Sequence, residues 1–333
     1  MVQVLQPSSP TARPRDIAAL ERELEDHRVA LTGYAYRMLG SAFEAEDAVQ
    51  ETLVRAWRAF DHFEGRAAVR SWLFGIATNV CIDMLKARQR RALPMQVGPP
   101  SPGDALPGTA LPEHLWVGPV NDNRVLSLTA DPAEAAVARE SIRLAFVAAL
   151  QHLTPKQRAA LILRDVLRWK TSEVARLLGT SIASVESLLR RARVVLANTD
   201  TAARTIGNGA ATHALVDRYV EAFERYDIDA LVALLHEDVT LSMPPFPLWL
   251  RGVDEVRTWF GTLTDACRAG RFLPIAANGS PGLAFYKPTG PGGRLEAAGI
   301  QVMEQSDGQI VGIHTFLEPR LFTVFGVPET VAQ

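Results

Sequence analysis

The chain has little cysteine, no long apolar run and almost no net charge, and each shortage removes a class of protein. Its 333 residues include only Cys81 and Cys267, too few for the disulfide framework of a small secreted fold, and the pair point to the reducing cytoplasm. No stretch of about 18 apolar residues is available to span a bilayer, so no membrane partner is expected. The first residues, MVQVLQPSSPTARPRD, lack the apolar core of a signal peptide. The seven histidines show no paired spacing and the cysteines lie far apart, so neither a metal site nor a cofactor is expected.

A formal charge of -2 is an average over segments of opposite sign. Residues 41–64 hold six acids against Arg55 and Arg58, whereas residues 66–91 hold six bases against Asp83 alone. Residues 131–199 carry eleven Lys/Arg and six acids, and residues 205–333 carry nine bases and fifteen acids. Two separated basic stretches suggest two contacts to a polyanion, with the C-terminal third outside them.

The length predicts two or three domains. From Ala18 to about Arg91, apolar residues recur at helical spacing with no proline between Pro14 and Pro94, which predicts three or four packed helices over 18–92. Residues 92–130 then hold seven prolines and four glycines, so 93–130 is predicted to be a linker without continuous helix or sheet, in which Leu115, Trp116 and Val117 could dock. Helical periodicity resumes over 131–199, with Pro155 at a helix start and Gly179 after a helix end. A second linker is expected over 200–210. Over 211–328, two amphipathic helices (HALVDRYVEAFERY and DIDALVALLHE) lead into a strand VTLSM, a helix from Val253 to Asp265, and four β-like runs with a hairpin turn at SDG, 306–308. The fold expected is two all-α domains followed by an α+β domain.

Within 153–193 the spacing predicts a helix-turn-helix. Thr171 caps a short helix with Val174, Leu177 and Leu178 on one face, and Gly179 supplies the turn. Ser181 caps a second helix that buries Val185, Leu188, Leu189 and Ala192 and turns Ser184, Glu186, Ser187, Arg190, Arg191 and Arg193 outward. Such a face can reach base edges and phosphates, although an ordinary helical hairpin with a solvated basic face has the same pattern. Further upstream, Ala48, Leu53 or Thr52, Ala56 and Phe60 point to a core while Asp47, Gln50, Glu51, Arg55 and Arg58 lie elsewhere. Phe63, Trp72 and Phe74 interleave with Arg66 and Arg70, an arrangement that stacks unpaired bases, or in which Trp72 and Phe74 are simply core.

Three strings, YRMLGSAFEAEDAVQETLVRAWR, GRAAVRSWLFGIATNVCIDMLKARQRR and LTPKQRAALILRDVLRWKTSEVARLLGTSIASVESLLRRAR, resemble the extracytoplasmic-function sigma-70 factors. With the C-terminal third included, the chain looks most like the sigma-G type, also described as SigX5-like. The resemblance implies that Asp47, Gln50, Glu51 and Arg55 dock on the clamp helices of the RNA polymerase largest subunit, with the flap region as a further contact of the core enzyme. It implies that Arg66, Arg70, Trp72, Asn79, Asp83 and Arg88 lie near the melted -10 strand, offsetting an unstacking cost of about a few kcal/mol. The helix from Ile182 to Arg193 would read the -35 duplex, and the 93–130 linker would thread through the polymerase. Glu186 and Arg190 depart from the residues usual at their positions. Glu186 could accept from a cytosine amino group or pair with Arg190 at i+4.

From about Thr212 to Val327 the chain is similar to SnoaL-like domains of the NTF2-like fold, a curved sheet closed by helices around an apolar cavity. Some relatives are isomerases or cyclases with an acid/base group in that cavity. Glu237, Asp238 and His314 are the candidates here, with Tyr219, Trp249, Tyr286 and Met303 as lining for an unknown small molecule. A regulatory or ligand-sensing role is favoured over catalysis: the domain would pack on the sigma domains and change their access to polymerase. The competing readings are a stand-alone helix-turn-helix regulator and an isomerase- or cyclase-type enzyme tethered to DNA-binding helices.

Overall fold

A computed structural model describes residues 22, 24–60, 68–86, 89–126, 131–198, 210–262, 269–289 and 294–332. Among the described residues, the N-terminal module contains α1 (Arg28–Leu39), α2 (Ala42–Ala59) and α3 (Val69–Leu85). Gly40, at φ +74°, ends α1 in the left-handed conformation that glycine adopts without strain, and Ser41 then caps α2 by accepting from the Glu44 amide. Ala45, Ala48, Val49, Thr52 and Ala56 form the buried stripe of α2. Thr52, one turn from both Ala48 and Ala56, takes the fully buried position, its hydroxyl satisfied by the Ala48 carbonyl at 2.7 Å, and Leu53 packs half-buried beside it. Phe74 of α3 is fully buried, packed on Tyr34 and Trp169 at centroid distances of 5.4 and 5.3 Å.

The proline-rich segment is ordered against its neighbours. It contains short 3-10 turns, a one-turn helix α4 (Asp122–Val125) and isolated bridges from Ala92 to Trp116 and from Asn121 to Ala277. Trp116 and Val117 are buried as expected, and Leu115 is half-buried. The second helical module comprises α5 (Pro132–Glu140), α6 (Leu144–Leu150), α7 (Pro155–Leu161) continuing into a π-helical turn at Ile162–Val166, α8 (Thr171–Leu177) and α9 (Ile182–Ala197). Thr171 is the first residue of α8 rather than its cap. The preceding residue, Lys170, holds that place, and its amide donates to Glu173 at 2.8 Å.

The C-terminal domain opens with α10 (Ala210–Glu224) and α11 (Ile228–Val232), followed by a seven-stranded sheet in the order β2-β1-β6-β5-β4-β3 with β7 on β5. Its strands are β1 (Leu235–Ser242), β2 (Trp249–Arg251), β3 (Arg271–Ala277), β4 (Ser280–Pro288), β5 (Leu295–Ser306), β6 (Gln309–Phe316) and β7 (Thr330–Val331). Helix α12 (Val253–Thr262) follows β2, and α13 (Leu321–Phe325) precedes β7. Strand β1 starts earlier than the helical spacing of DIDALVALLHE predicts, because Leu235 is registered against Ile310 of β6 and tertiary pairing overrides local propensity. The expected turn at Asp307 and Gly308 has both residues at positive φ, as a two-residue hairpin requires.

Alternation along the strands gives the sheet two buried faces. The inner face, with Val239, Leu241, Leu283, Phe285, Met303 and Ile313, packs on Tyr219 and Phe223 of α10 and Trp259 and Phe260 of α12. The outer face, with Ala284, Ile300, Val302 and Phe316, belongs to the same apolar cluster as Tyr36, Val117, Val120 and Ile142 of the helical part and linker.

Candidate nucleic-acid and polymerase interfaces

On α2, Asp47, Gln50, Glu51 and Arg55 are all exposed. Arg55 is engaged locally: it pairs with Glu51 at 2.7 Å and approaches Asp83 of α3 at 3.9 Å. Two residues absent from the sequence-based set stand beside them, Val54 at 40% and Trp57 at 59% exposure. Their signal is a helical one, since positions 50, 54 and 57 share a face and large apolar groups left in water along such a face mark an interaction surface.

The -10 candidates are distributed less evenly. Arg66 and Arg88 lie outside the described residues. Asn79 and Asp83 are exposed, and Lys86 at 2.8 Å from Asp83, more than any other neighbour, holds that carboxyl below the usual range. Trp72 is half-buried against the core. The exposed Arg70 guanidinium lies over two rings, 5.3 Å from Trp169 and 5.8 Å from Phe74, so it stacks on a buried residue of the second module. Arg91, the last of the basic run, is buried: it pairs with Glu44 at 2.6 Å and donates to the Trp116 carbonyl at 2.6 Å. It is a structural ion pair rather than a cation available to phosphate.

Ser181 caps α9 by accepting from the Ser184 amide, and Val185, Leu189 and Ala192 are buried as the spacing predicts, while Leu188, expected with them, is half-buried at the core's edge. Ser184, Glu186, Arg190 and Arg191 are exposed on the opposite face, and Ser187 is half-buried. Among the described residues no ion pair joins Glu186 to Arg190. Arg193 is exposed but held by Asp165 through two hydrogen bonds of 3.1 and 2.8 Å, which raises its already high pKa.

The expected pocket residues do not gather in one cavity. Tyr219 and Met303 belong to the packed inner face, where Phe223, Phe272 and Phe285 close on one another at 4.6–5.6 Å. Tyr286 packs on Phe322 in the other cluster. Trp249 and His314 line a cavity on the outer side of the sheet. The Nδ1 atom of His314 is 2.8 Å from the Ser242 hydroxyl, and its Nε2 is 3.8 Å from Glu304. Glu237 and Asp238 are exposed on β1, with Asp238 3.9 Å from Arg251.

Contacts between modules were not legible in the sequence. At the β3–β4 turn, Asn278 and Gly279 both have positive φ, the type favoured by an Asn-Gly hairpin. Asn278 is wholly buried; its side-chain amide donates to the Tyr36 hydroxyl at 2.6 Å and the Ile142 carbonyl at 2.7 Å, and its oxygen accepts from the Val120 amide at 2.9 Å. One side chain thus joins the C-terminal domain to both helical modules and the linker. Beside it the Gly279 amide donates to Asp122 at 2.8 Å, and burial pushes that carboxyl up to about 6. Elsewhere the linker lies along β2: the Trp249 indole donates to the Gly98 carbonyl at 2.9 Å, and the Ser101 amide to the Trp249 carbonyl at 2.7 Å. No metal-binding cluster and no helix long and apolar enough to cross a membrane occur among the described residues.

Comparison with known proteins agrees with this architecture. Residues 24–91 match the Sigma-70 region 2 family, residues 143–196 Sigma-70 region 4, and residues 216–313 the SnoaL-like domain. The chain is 40% identical over 312 residues to the ECF RNA polymerase sigma factor SigG of Mycobacterium tuberculosis, an alignment covering 92% of this chain and 83% of that protein. It is 30% identical over 330 residues to SigJ of the same organism, covering 93% and 96%. The crystal structure of SigJ superposes with a TM-score of 0.60 at 28% identity, covering 94% of this chain and all of that one. The chain belongs to the ECF RNA polymerase sigma factors, in the form that carries a SnoaL-like domain after its two sigma-70 regions.

Proposed function

We propose that this sigma factor directs core polymerase to promoters through three surfaces and that its C-terminal domain holds it closed until they are needed. Core polymerase docks on the α2 face of Asp47, Gln50 and Glu51, widened by Val54 and Trp57, with Arg55 orienting Glu51. The -10 strand is taken by Arg70, Asn79 and the neighbouring chain, with Asp83 holding Lys86 beside it. The -35 duplex is read by Ser184, Glu186, Ser187, Arg190 and Arg191, while Arg193 must leave Asp165 to contribute. Units of 18–92, 131–199 and 211–328, joined by 93–130 and 200–210, fit this division of labour.

The single observation that carries the closed state is the burial of Trp169 under Arg70. Elements named -10 and -35 are about 25 base pairs apart, or roughly 85 Å at ~3.4 Å per pair. A second module seated on the first one's strand-reading arginine is therefore incompatible with occupying both. The linker, which must thread through polymerase, is bound instead to Trp249 and Asn278. The packing of Tyr219, Phe223, Phe272 and Phe285 inside the cone favours this regulatory role over an enzymatic one. Promoter-directed run-off transcription with core enzyme tests it: Asn278→Ala should raise initiation severalfold over the wild-type chain, and equal or lower activity from a folded variant would remove the autoinhibitory reading.

A further inference from the structure

A cavity of about 780 Å³ lies where the three modules meet. Arg90, Leu93 and Met95 form one wall as the chain leaves the N-terminal module. Ala148, His152, Val195 and Asn198 of the second module form another. The outer face of the sheet completes it with Thr240, Trp249, Arg251, Glu304 and His314. Its volume falls within the range of small-molecule sites, about 300–1,000 Å³. It is separate from the interior of the cone, which aromatic side chains fill.

The lining is cationic on balance, with two guanidiniums, Arg90 and Arg251, against one carboxylate, Glu304. Arg90 is 2.8 Å from the Nδ1 atom of His152; a guanidinium can only donate, so this ring nitrogen accepts and leaves the charge of Arg90 uncancelled. Burial, with the charge of Arg90 next, also holds His152 below its ordinary range. The carboxylate of Glu304 is turned toward His314 across Gly312, where a side chain would collide with it. At the rim, Asp238 pairs loosely with Arg251 at 3.9 Å, both exposed, so it offsets that charge only in part. The rest of the lining mixes the apolar Leu93, Met95, Ala148, Val195 and Trp249, whose indole is held by its hydrogen bond to Gly98, with the polar Gln96, Asn198 and Thr240. A held tryptophan and aliphatic side chains sharing one cavity with two incompletely compensated guanidiniums suit a ligand with an apolar aromatic body and an acidic group.

We infer that this junction is a binding site for a small aromatic organic anion, a carboxylate, sulfonate or phosphate, which touches all three modules and so stabilises the closed arrangement. The regulatory half rests on the autoinhibited reading above; the binding half does not. A ligand contacting walls that separate on opening binds the closed form preferentially and shifts the population toward it.

The probe is 8-anilinonaphthalene-1-sulfonate, with N-phenyl-1-naphthylamine as the same aromatic body without its charge, each titrated by fluorescence into the full-length chain. One saturable site is expected, with the neutral probe at least tenfold weaker. Arg251→Gln, at an exposed rim position where folding is indifferent to the change, should weaken the sulfonate at least tenfold and leave the neutral probe unaltered. Equal affinity for both probes, several equivalents bound, or an unchanged Arg251→Gln titration would overturn the site. In run-off transcription, saturating sulfonate should lower wild-type activity at least threefold and spare Arg251→Gln. Tight, Arg251-dependent binding without that inhibition would refute the regulatory half alone. If Asn278→Ala activates while no probe binds, the ligand is refuted and autoinhibition stands.

Discussion

Burial decides what Arg91 and Asp122 do in this fold. Arg91 reads as one more base in the run from Lys86, yet the turn into the linker carries it under Trp116 and against Glu44, where both charges are largely removed from water. A buried pair of this kind is strongly destabilising to break, because the surviving partner stays buried and charged. Arg91→Ala is therefore expected to lose about 3–5 kcal/mol of stability in chemical denaturation, while a neutral change at exposed Arg190 loses almost none. Asp122 makes the opposite prediction. Its folded-state pKa of about 6 lies above the ordinary value of 3.8, so the native chain holds the proton more tightly than the unfolded one. Stability should fall as pH rises from about 4 to 6 and stay lower above that. Asp122→Asn keeps an acceptor for the Gly279 amide, so its melting temperature should exceed wild type at pH 7.5 and approach it near pH 4.

Helices were legible because their faces obey a period, and their exposed faces were legible for the same reason. The buried stripe of α2 and the capped α9 fall where the spacing places them, leaving the outward residues by subtraction. The outward face of α2 also holds Val54 and Trp57, which the sequence analysis did not name and whose exposure only the structure shows. Trp57→Ala should weaken binding to core polymerase roughly tenfold without changing thermal stability, as loss of an exposed aromatic anchor does. On α9 the two kinds of arginine separate. Arg190→Ala should reduce -35 duplex affinity and flatten its dependence on salt by about one ion, whereas Arg193→Ala should do less because Asp165 already neutralises that cation. In the C-terminal domain, β2, α13 and β7 are too short to leave a periodic trace, and β1 was hidden inside a helical pattern that its pairing with β6 overrides.

For the whole molecule the decisive contacts join segments far apart in the chain, and no local pattern announces them. The Asn278 side chain meets Tyr36, Val120 and Ile142, which lie 242, 158 and 136 positions away. Three charge-neutral hydrogen bonds at one buried tip make a joint that is costly to half-satisfy and simple to release as a unit. With donor and acceptor dyes on the first and second helical modules, energy transfer should be high in the free wild-type chain. It should drop on addition of core polymerase and be lower from the outset in Asn278→Ala. Transfer unchanged by core polymerase would mean that the packed arrangement is also the working one.

By itself the sequence determined three modules, their order, the class of each and the outward faces of the long helices, because periodicity, proline content and capping act over a few residues. Only the tertiary structure decided which face of the sheet is solid, which arginines are structural and where the modules touch. Those outcomes depend on burial and on charges brought together across the chain, and the free energy of either appears only when distant surfaces meet.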